Sequence, residues 1–190
     1  MKKLVLVAVL VLGFSMLAVA ADIPKAEIFG GYSYVKVDTG IQKPNSKDDI
    51  TANMNGWDTN LAVNGNKYLA FVADFSGVYG NIVEQGQTQG NLKIFSALFG
   101  PKVNFRAGKV TPYIQGLFGA SHASFTPEND VKSQPQNMFA MAFGGGVDIS
   151  VNDRISVRPA QVEYFTTKMG SDLLNHFRYS AGVIFKLGKR

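Results

Sequence analysis

The 190-residue chain has no cysteine, one tryptophan and two histidines, and after its first twenty residues it has no apolar run long enough for a membrane-crossing helix. The missing thiols exclude a disulfide framework, a thiolate metal site and lipid attachment through cysteine. His122 and His176 stand apart with no metal-ligand spacing around them, and no cofactor is expected. The glycine-rich stretch 144–146 lacks the Lys-Ser/Thr of a phosphate loop. Charges of both signs are scattered without a basic run, so a nucleic-acid partner is not expected. What the chain does have is glycine, at 20 residues, and aromatics, at 12%. Together they suit a tightly curved sheet with an aromatic outer face.

The N-terminus reads as a secretory signal. Lys2 and Lys3 precede an uncharged apolar run from Leu4 to Leu17, and Ala18-Val19-Ala20 offers the small-x-small pattern cut before Ala21. Residues 1–20 are then a signal peptide and 21–190 one domain. The alternative is an uncleaved anchor, since a spanning helix needs roughly 17–25 residues. A well-formed cleavage site and the absence of a following basic stop argue against it. Removing the two lysines leaves 17 basic and 14 acidic residues, a mildly basic net of +3.

Behind the signal, eight segments alternate at period two: 26–36, 54–64, 67–79, 92–105, 110–124, 137–150, 154–166 and 176–188. Each is long enough to be a tilted membrane strand of roughly 9–11 residues. The connections alternate long and short: 37–53, then Gly65-Asn66, then 80–91, then Arg106 to Lys109, then 125–136, then Val151 to Asp153, then 167–175. That order suits an eight-stranded antiparallel up-and-down barrel with both termini at the end of the short turns. Trp57, Leu61, Phe71, Phe75, Phe95, Phe99, Phe139 and Phe143 fall on one face of their strands. Asp58, Asp74, Lys102, Gly144 and Asp148 fall on the other.

Alternation alone does not say which face points outward, and a soluble barrel with an oily interior remains open. The small residues of the more polar face favour that face as the crowded interior of a narrow membrane barrel. Strand seven carries a phase break: Ser156 and Arg158 fit inward, and so do Gln161 and Glu163, one residue out of step. A bulge near Pro159 reconciles them, because proline lacks the N–H a ladder needs. Pro101 and Pro112 weaken the boundaries of strands four and five.

Gly-Gly-Tyr-Ser-Tyr at 30–34, Phe-Gly-Pro-Lys-Val at 99–103, Thr-Pro-Tyr-Ile at 111–114, Gly-Gly-Gly-Val-Asp at 144–148 and Phe-Arg-Tyr-Ser-Ala-Gly at 177–182 carry a family resemblance. The chain resembles the small outer-membrane β-barrel proteins labelled "porin family" or "outer membrane protein beta-barrel domain", similar in architecture to the transmembrane half of OmpA and to OmpX. The resemblance spans 26–190 and implies a bacterial outer-membrane protein with periplasmic termini, long extracellular loops and no shared catalytic set. No peptidoglycan-binding domain like that of OmpA follows the last strand, so tethering to the cell wall is not implied. Many such barrels end on an aromatic read by the insertion machinery. Here Phe177, Tyr179 and Phe185 are expected to carry that signal, ahead of a short tail from Gly188 to Arg190.

Projected to depth, the inward charges form two layers: Glu27, Lys102, Asp148, Arg158 and Lys186 below, and Asp58, Asp74, Glu163 and Arg178 above. Buried charges of opposite sign should pair, so Arg158 is expected to bridge Glu27 or Asp148, and Arg178 to bridge Asp74 or Glu163. An eight-stranded interior is just wide enough for side chains to fill. A plugged lumen is therefore expected, with a narrow gated solute path as the alternative.

Interfacial aromatics are expected as two girdles, Tyr32, Tyr34, Trp57 and Tyr79 on the loop side and Phe99, Phe105, Ile149, Ile155 and Phe185 on the turn side. Lys36, Lys43 and Lys47 suit contact with lipopolysaccharide phosphates, Asp48-Asp49 suits at most a solvated or calcium-touching loop, and His176 reads as a surface residue at the start of strand eight. His122-Ala123-Ser124 with Glu128 resembles in outline the His-x-Ser pair of lipid A 3-O-deacylases. A three-residue match recurs often by chance, so an ordinary polar strand top is favoured and no catalytic residue is expected. The expected function is structural or adhesive, in a monomer whose partners are outer-membrane lipid, lipopolysaccharide and, during biogenesis, the insertion machinery.

Barrels of this kind stay folded in detergent until heated. Boiled and unboiled samples of the detergent-solubilised protein should therefore migrate differently on a gel, and co-migration would remove the main support for the barrel.

Overall fold

The computed structural model describes residues 23–42, 49–84, 87–127, 134–169 and 172–189. The signal segment, Lys43, Lys47, Asp48 and Glu128 lie outside the described residues, as does the side chain of Asp49. Eight strands follow in order: β1 (Pro24–Gln42), β2 (Asp49–Asn64), β3 (Leu69–Glu84), β4 (Gln87–Asn104), β5 (Val110–Pro127), β6 (Gln134–Ser150), β7 (Ile155–Met169) and β8 (Asp172–Lys189). Each pairs antiparallel with the next. β1 and β8 then close the barrel from Pro24↔Lys189 to Lys36↔Phe177. Closure leaves the sheet no edge, which a wall surrounded by hydrocarbon requires because no water is there to satisfy an open row of N–H and C=O groups.

The strands run 15 to 19 residues, longer than the roughly 9–11 needed to cross a bilayer. Segments expected as long connections are, where described, strand. Val37 pairs with Ala52, Ile82 with Gly90, Phe125 with Gln134 and Thr167 with Leu174. Above the apolar belt both faces become polar and the period-two contrast fades. The ladder continues there because it uses only backbone groups.

The three short turns lie where expected, with strands β3 and β7 starting one or two residues later. Two of them use the same device. The Asn66 side-chain oxygen accepts from the backbone N–H of Tyr68 and Leu69 at 2.8 and 2.9 Å, and Asn152 does the same for Arg154 and Ile155, both at 2.8 Å. Asparagine side chains mimic a backbone turn in this way.

β7 carries the bulge at the expected place. Val147 pairs with Ala160 and Ile149 with Val157, so three steps on β7 match two on β6. The β8 ladder skips equally between Arg158 and Gln161. Pro159 and Ala160 both face outward, and Gln161 and Glu163 return to the interior. Were the ladder regular here with every residue retained, Val162 and Tyr164 would occupy the lumen.

Because one surplus residue is absorbed here, deleting Pro159 should leave a regular β7 ladder with every face unchanged and a heat-modifiable barrel. Deleting Met141 from β6, whose ladder to β5 is continuous, should reverse the faces of half a strand and abolish the folded band on the same gel.

Candidate functional site

The inward faces converge on two charge clusters. In the one nearer the tight turns, Asp148 of β6 receives Arg158 of β7 through two bonds, Nε to Oδ1 at 2.7 Å and Nη2 to Oδ2 at 3.1 Å. Lys102 of β4 approaches the same carboxylate at 3.2 Å. The Arg158 guanidinium lies 4.4 Å from the ring centroid of Phe29 and 4.6 Å from that of Tyr113, and the Lys102 ammonium 3.9 Å from the Tyr113 ring. One carboxylate therefore holds two cations, and aromatic faces supply the remaining negative potential. Of the two acids open to Arg158, Asp148 is the partner. Glu27 instead pairs with Arg106 at 3.0 Å, and Arg106 also donates to Asn64 and to the Lys67 carbonyl.

The second cluster is a clamp across the barrel. Arg178 of β8 donates from Nε to Glu163 Oε2 on the adjacent β7 at 2.7 Å. Its other nitrogens reach β3, meeting Asp74 Oδ1 at 3.0 Å and Ser76 Oγ at 2.9 Å. Arg178 thus takes both acids rather than one. Its side chain is 2% exposed and those of Asp74 and Glu163 are fully enclosed. Gln115 and Gln161 donate to the two oxygens of Glu163 at 2.8 and 2.9 Å. Gln161 joins the clusters, accepting from Arg158 at 2.7 Å and from the Tyr113 hydroxyl at 2.6 Å. Asp58 is buried beside this network with Oδ2 at 3.5 Å from Gln161, and its Oδ1 has no hydrogen-bond partner among the described residues.

Local sequence explains the room for these groups. Gly144 and Gly146 let β7 approach closely, for a Cβ would stand 2.1 Å from the Val162 carbonyl oxygen at Gly144 and 2.5 Å from that of Ala160 at Gly146. They also leave space for the network, since the same Cβ atoms would lie 2.8 Å from the Glu163 side chain and 2.7 Å from the Tyr113 hydroxyl. Elsewhere the interior mixes buried polar side chains such as Ser33, Asn60, Ser96 and Ser121 with apolar ones. Ala62, Val72, Leu98, Leu117, Ala142 and Phe165 form one cluster, and Val35, Val37, Met54, Val78 and Ile94 another.

Three expectations change. His176 is buried, not superficial: its Nε2 lies 3.1 Å from the Thr167 hydroxyl and its ring packs on Phe165. The alternation 176, 178, 180 puts it on the same face as Arg178, a signal the loop-boundary reading overlooked. Arg106, assigned to a turn, continues the inward series Lys102 and Asn104. Lys186 is only partly buried, and it donates to the Ser150 hydroxyl at 2.9 Å and the Asn152 carbonyl at 3.0 Å.

Outside, the wall is apolar. Phe143 is 66% exposed, Phe71 58% and Phe118 55%. Tyr32, Trp57, Tyr79, Phe99, Ile149 and Phe185 are exposed, while Phe105 sits one residue past β4 and is half-buried. Tyr34 donates to Asn53 at 2.8 Å and Tyr32 to Asn55, giving the phenol tips polar partners. Tyr164, Phe177 and Tyr179 extend the loop-side aromatics. His122 and Ser124 share the outward face of β5, and the His122 Nδ1 is 2.7 Å from the Asn137 side-chain oxygen.

Replacing Arg178 with leucine leaves Asp74 and Glu163 buried without their cation, at an expected cost of about 3–5 kcal/mol. The urea midpoint for folding into lipid vesicles should fall accordingly. Adding Asp74→Asn and Glu163→Gln to Arg178→Leu should recover most of the loss, and an unchanged midpoint for Arg178→Leu would contradict the clamp.

The sequence pattern that defines the family "Outer membrane protein beta-barrel domain" matches residues 6–185. No curated protein matches the chain. Among solved structures, it is similar to Neisserial surface protein A at 15% identity, with a TM-score of 0.68 and coverage of 86% of this chain and 97% of that one. It is also similar to Ail, the attachment invasion locus protein of Yersinia pestis, at 19% identity, with a TM-score of 0.56 and coverage of 86% and 99%. At these identities the likeness speaks for the fold. With an all-β, eight-stranded closed barrel and a family match over nearly its whole length, the chain belongs to the outer membrane protein β-barrel family.

Proposed function

We propose that the protein is an integral outer-membrane barrel whose lumen is closed by its own side chains and whose role is structural or surface-interacting. The tight turns and both termini face the periplasm, and the opposite strand ends and their connections face outward, in contact with lipopolysaccharide and other outer-membrane lipid. The observation that carries this reading is the inversion of polarity. Large apolar side chains cover the outer wall, while Arg158, Arg178, Lys102, Asp74 and Glu163 are sealed inside. A soluble barrel would expose the reverse pattern, and an apolar surface this extensive needs lipid against it. His122 engages Asn137, and no reaction is proposed for it.

A second reading, a narrow solute path, is favoured by the buried polar atoms that lack protein partners among the described residues: Asp58 Oδ1, Asn60 Nδ2, Asp74 Oδ2, Gln115 Oε1 and both side-chain polar atoms of Asn104. Buried polar atoms normally find a partner or an ordered water. Planar bilayers separate the readings. The closed lumen should give no steady ion conductance from the wild-type protein, whereas discrete conductance steps that change size with Asp58→Asn would establish the path.

A further inference from the structure

The outward residues of β2 to β6 form a grid whose rows follow from the pairing register. One row runs Thr59, Phe75, Ala97, Ala120, Phe139, and the row above it runs Trp57, Gly77, Phe95, His122, Asn137. The belt is apolar with many large side chains, and Ala97 and Ala120 pair directly within it, leaving a gap two strands wide between Phe75 and Phe139. Phe75 and Phe139 flank the gap, Phe99 and Phe118 lie below it, and Phe95 and His122 lie above. A groove of about 360 Å³ lies here, lined by Trp57, Phe75, Phe95, Ala97, Ala120 and His122. Its upper wall is fixed by packing, for Trp57 and Phe95 lie over Gly77, where a Cβ would stand 2.8 Å from the indole nitrogen.

Directly above, the wall turns polar. His122 and Asn137 are bonded to each other at the head of the groove. A second depression, of about 260 Å³, opens beside Tyr79, Asn81, Asn91, Lys93 and Thr126. Lys93 is exposed, and none of the described outward-facing residues of β2 to β6 is acidic, so its charge calls for an anion from outside the chain. From Asn81 on β3 to Asn137 on β6 the polar band crosses three strand spacings, roughly 14 Å. That is broad for a single phosphodiester and suits a sugar pair whose hydroxyls and amides meet asparagine side chains.

We propose that the outward faces of β3 to β6 bind lipid A, the phosphorylated and acylated disaccharide of the outer leaflet, with one acyl chain over Ala97 and Ala120 and the head group on Lys93, His122 and Asn137. The site rests on the orientation proposed above. It deepens that reading by giving the lipid contact a defined place and chemistry. Rigid rings around a floor of small residues hold a chain, and the lysine at its head selects a phosphate.

The test is native mass spectrometry of the full-length protein, released from detergent after incubation with lipid A or with phosphatidylglycerol at equal concentration. The wild type should retain lipid A in preference to phosphatidylglycerol by about tenfold or more. Lys93→Gln and the groove-filling Ala120→Phe should each lose about tenfold in retention, and Lys109→Gln, exposed in the tight turn before β5 at the opposite end of the barrel, should lose nothing. Ala97→Leu fills the same groove more gently and replaces Ala120→Phe if that variant does not fold. Equal retention by the wild type, Lys93→Gln and the filled groove would overturn the site, as would equal retention of phosphatidylglycerol. A folded, heat-modifiable barrel that holds no lipid A overturns the site alone, whereas boiled and unboiled forms that co-migrate overturn the outer-membrane reading and the site with it.

Discussion

The ladder between β1 and β8 is the constraint on which everything else depends. A sheet facing lipid cannot leave a row of backbone donors and acceptors open, so the first and last strands must meet in register, and Pro24 to Lys189 and Lys36 to Phe177 mark that seam. Closing only eight strands makes the interior narrow, and a narrow interior limits what side chains it can hold. Gly144 and Gly146 are one consequence, since they surrender their own volume to Tyr113 and Glu163. The bulge at Pro159 and Ala160 is another, because it returns Gln161 and Glu163 to the only face on which their charge and amide can be satisfied.

The molecule is polar within and apolar without, and the two halves of that inversion have different physical standing. The outer wall needs only to be apolar and free of uncompensated charge, so its residues are interchangeable over much of its area. The interior is selective. Two acids share Arg178 and two cations share Asp148, and removing a single member leaves a buried charge without its partner. The grouping of Arg158 and Lys102 with the rings of Phe29 and Tyr113 shows how a surplus cation is accommodated where no second carboxylate fits.

Much of this was legible in the sequence because alternation is strict wherever one face meets lipid. It located all eight strands, the inward set Glu27, Asp58, Asp74, Lys102, Asp148, Arg158, Glu163 and Arg178, and the bulge in β7. It failed where that contrast disappears. The upper ends of the strands, such as Val37 to Gln42 and Asn81 to Glu84, interrupt their apolar residues with polar residues and glycine and read as loops although they pair. Partner choice was also beyond it. Periodicity puts Glu27 and Asp148 on the same face as Arg158, but which of them it meets depends on stagger around the barrel, and Arg106 sits closer to Glu27. His176 and Arg106 stand at turn boundaries, where position suggests the surface, but parity with Arg178 and with Lys102 puts both inward.

The Arg178 clamp has a consequence for how the molecule is assembled. Its acid on β3 is 104 residues earlier in the chain, and its cation is on the last strand. Asp74 therefore precedes its counter-charge in the chain, and among the described residues no earlier strand supplies a cation within salt-bridge distance of it. That carboxylate meets its cation only when β8 is in place, at the same step that completes the backbone seam with β1. Charge pairing inside and hydrogen-bond closure of the wall are thus two outcomes of one event, and a barrel lacking the final strand would have neither.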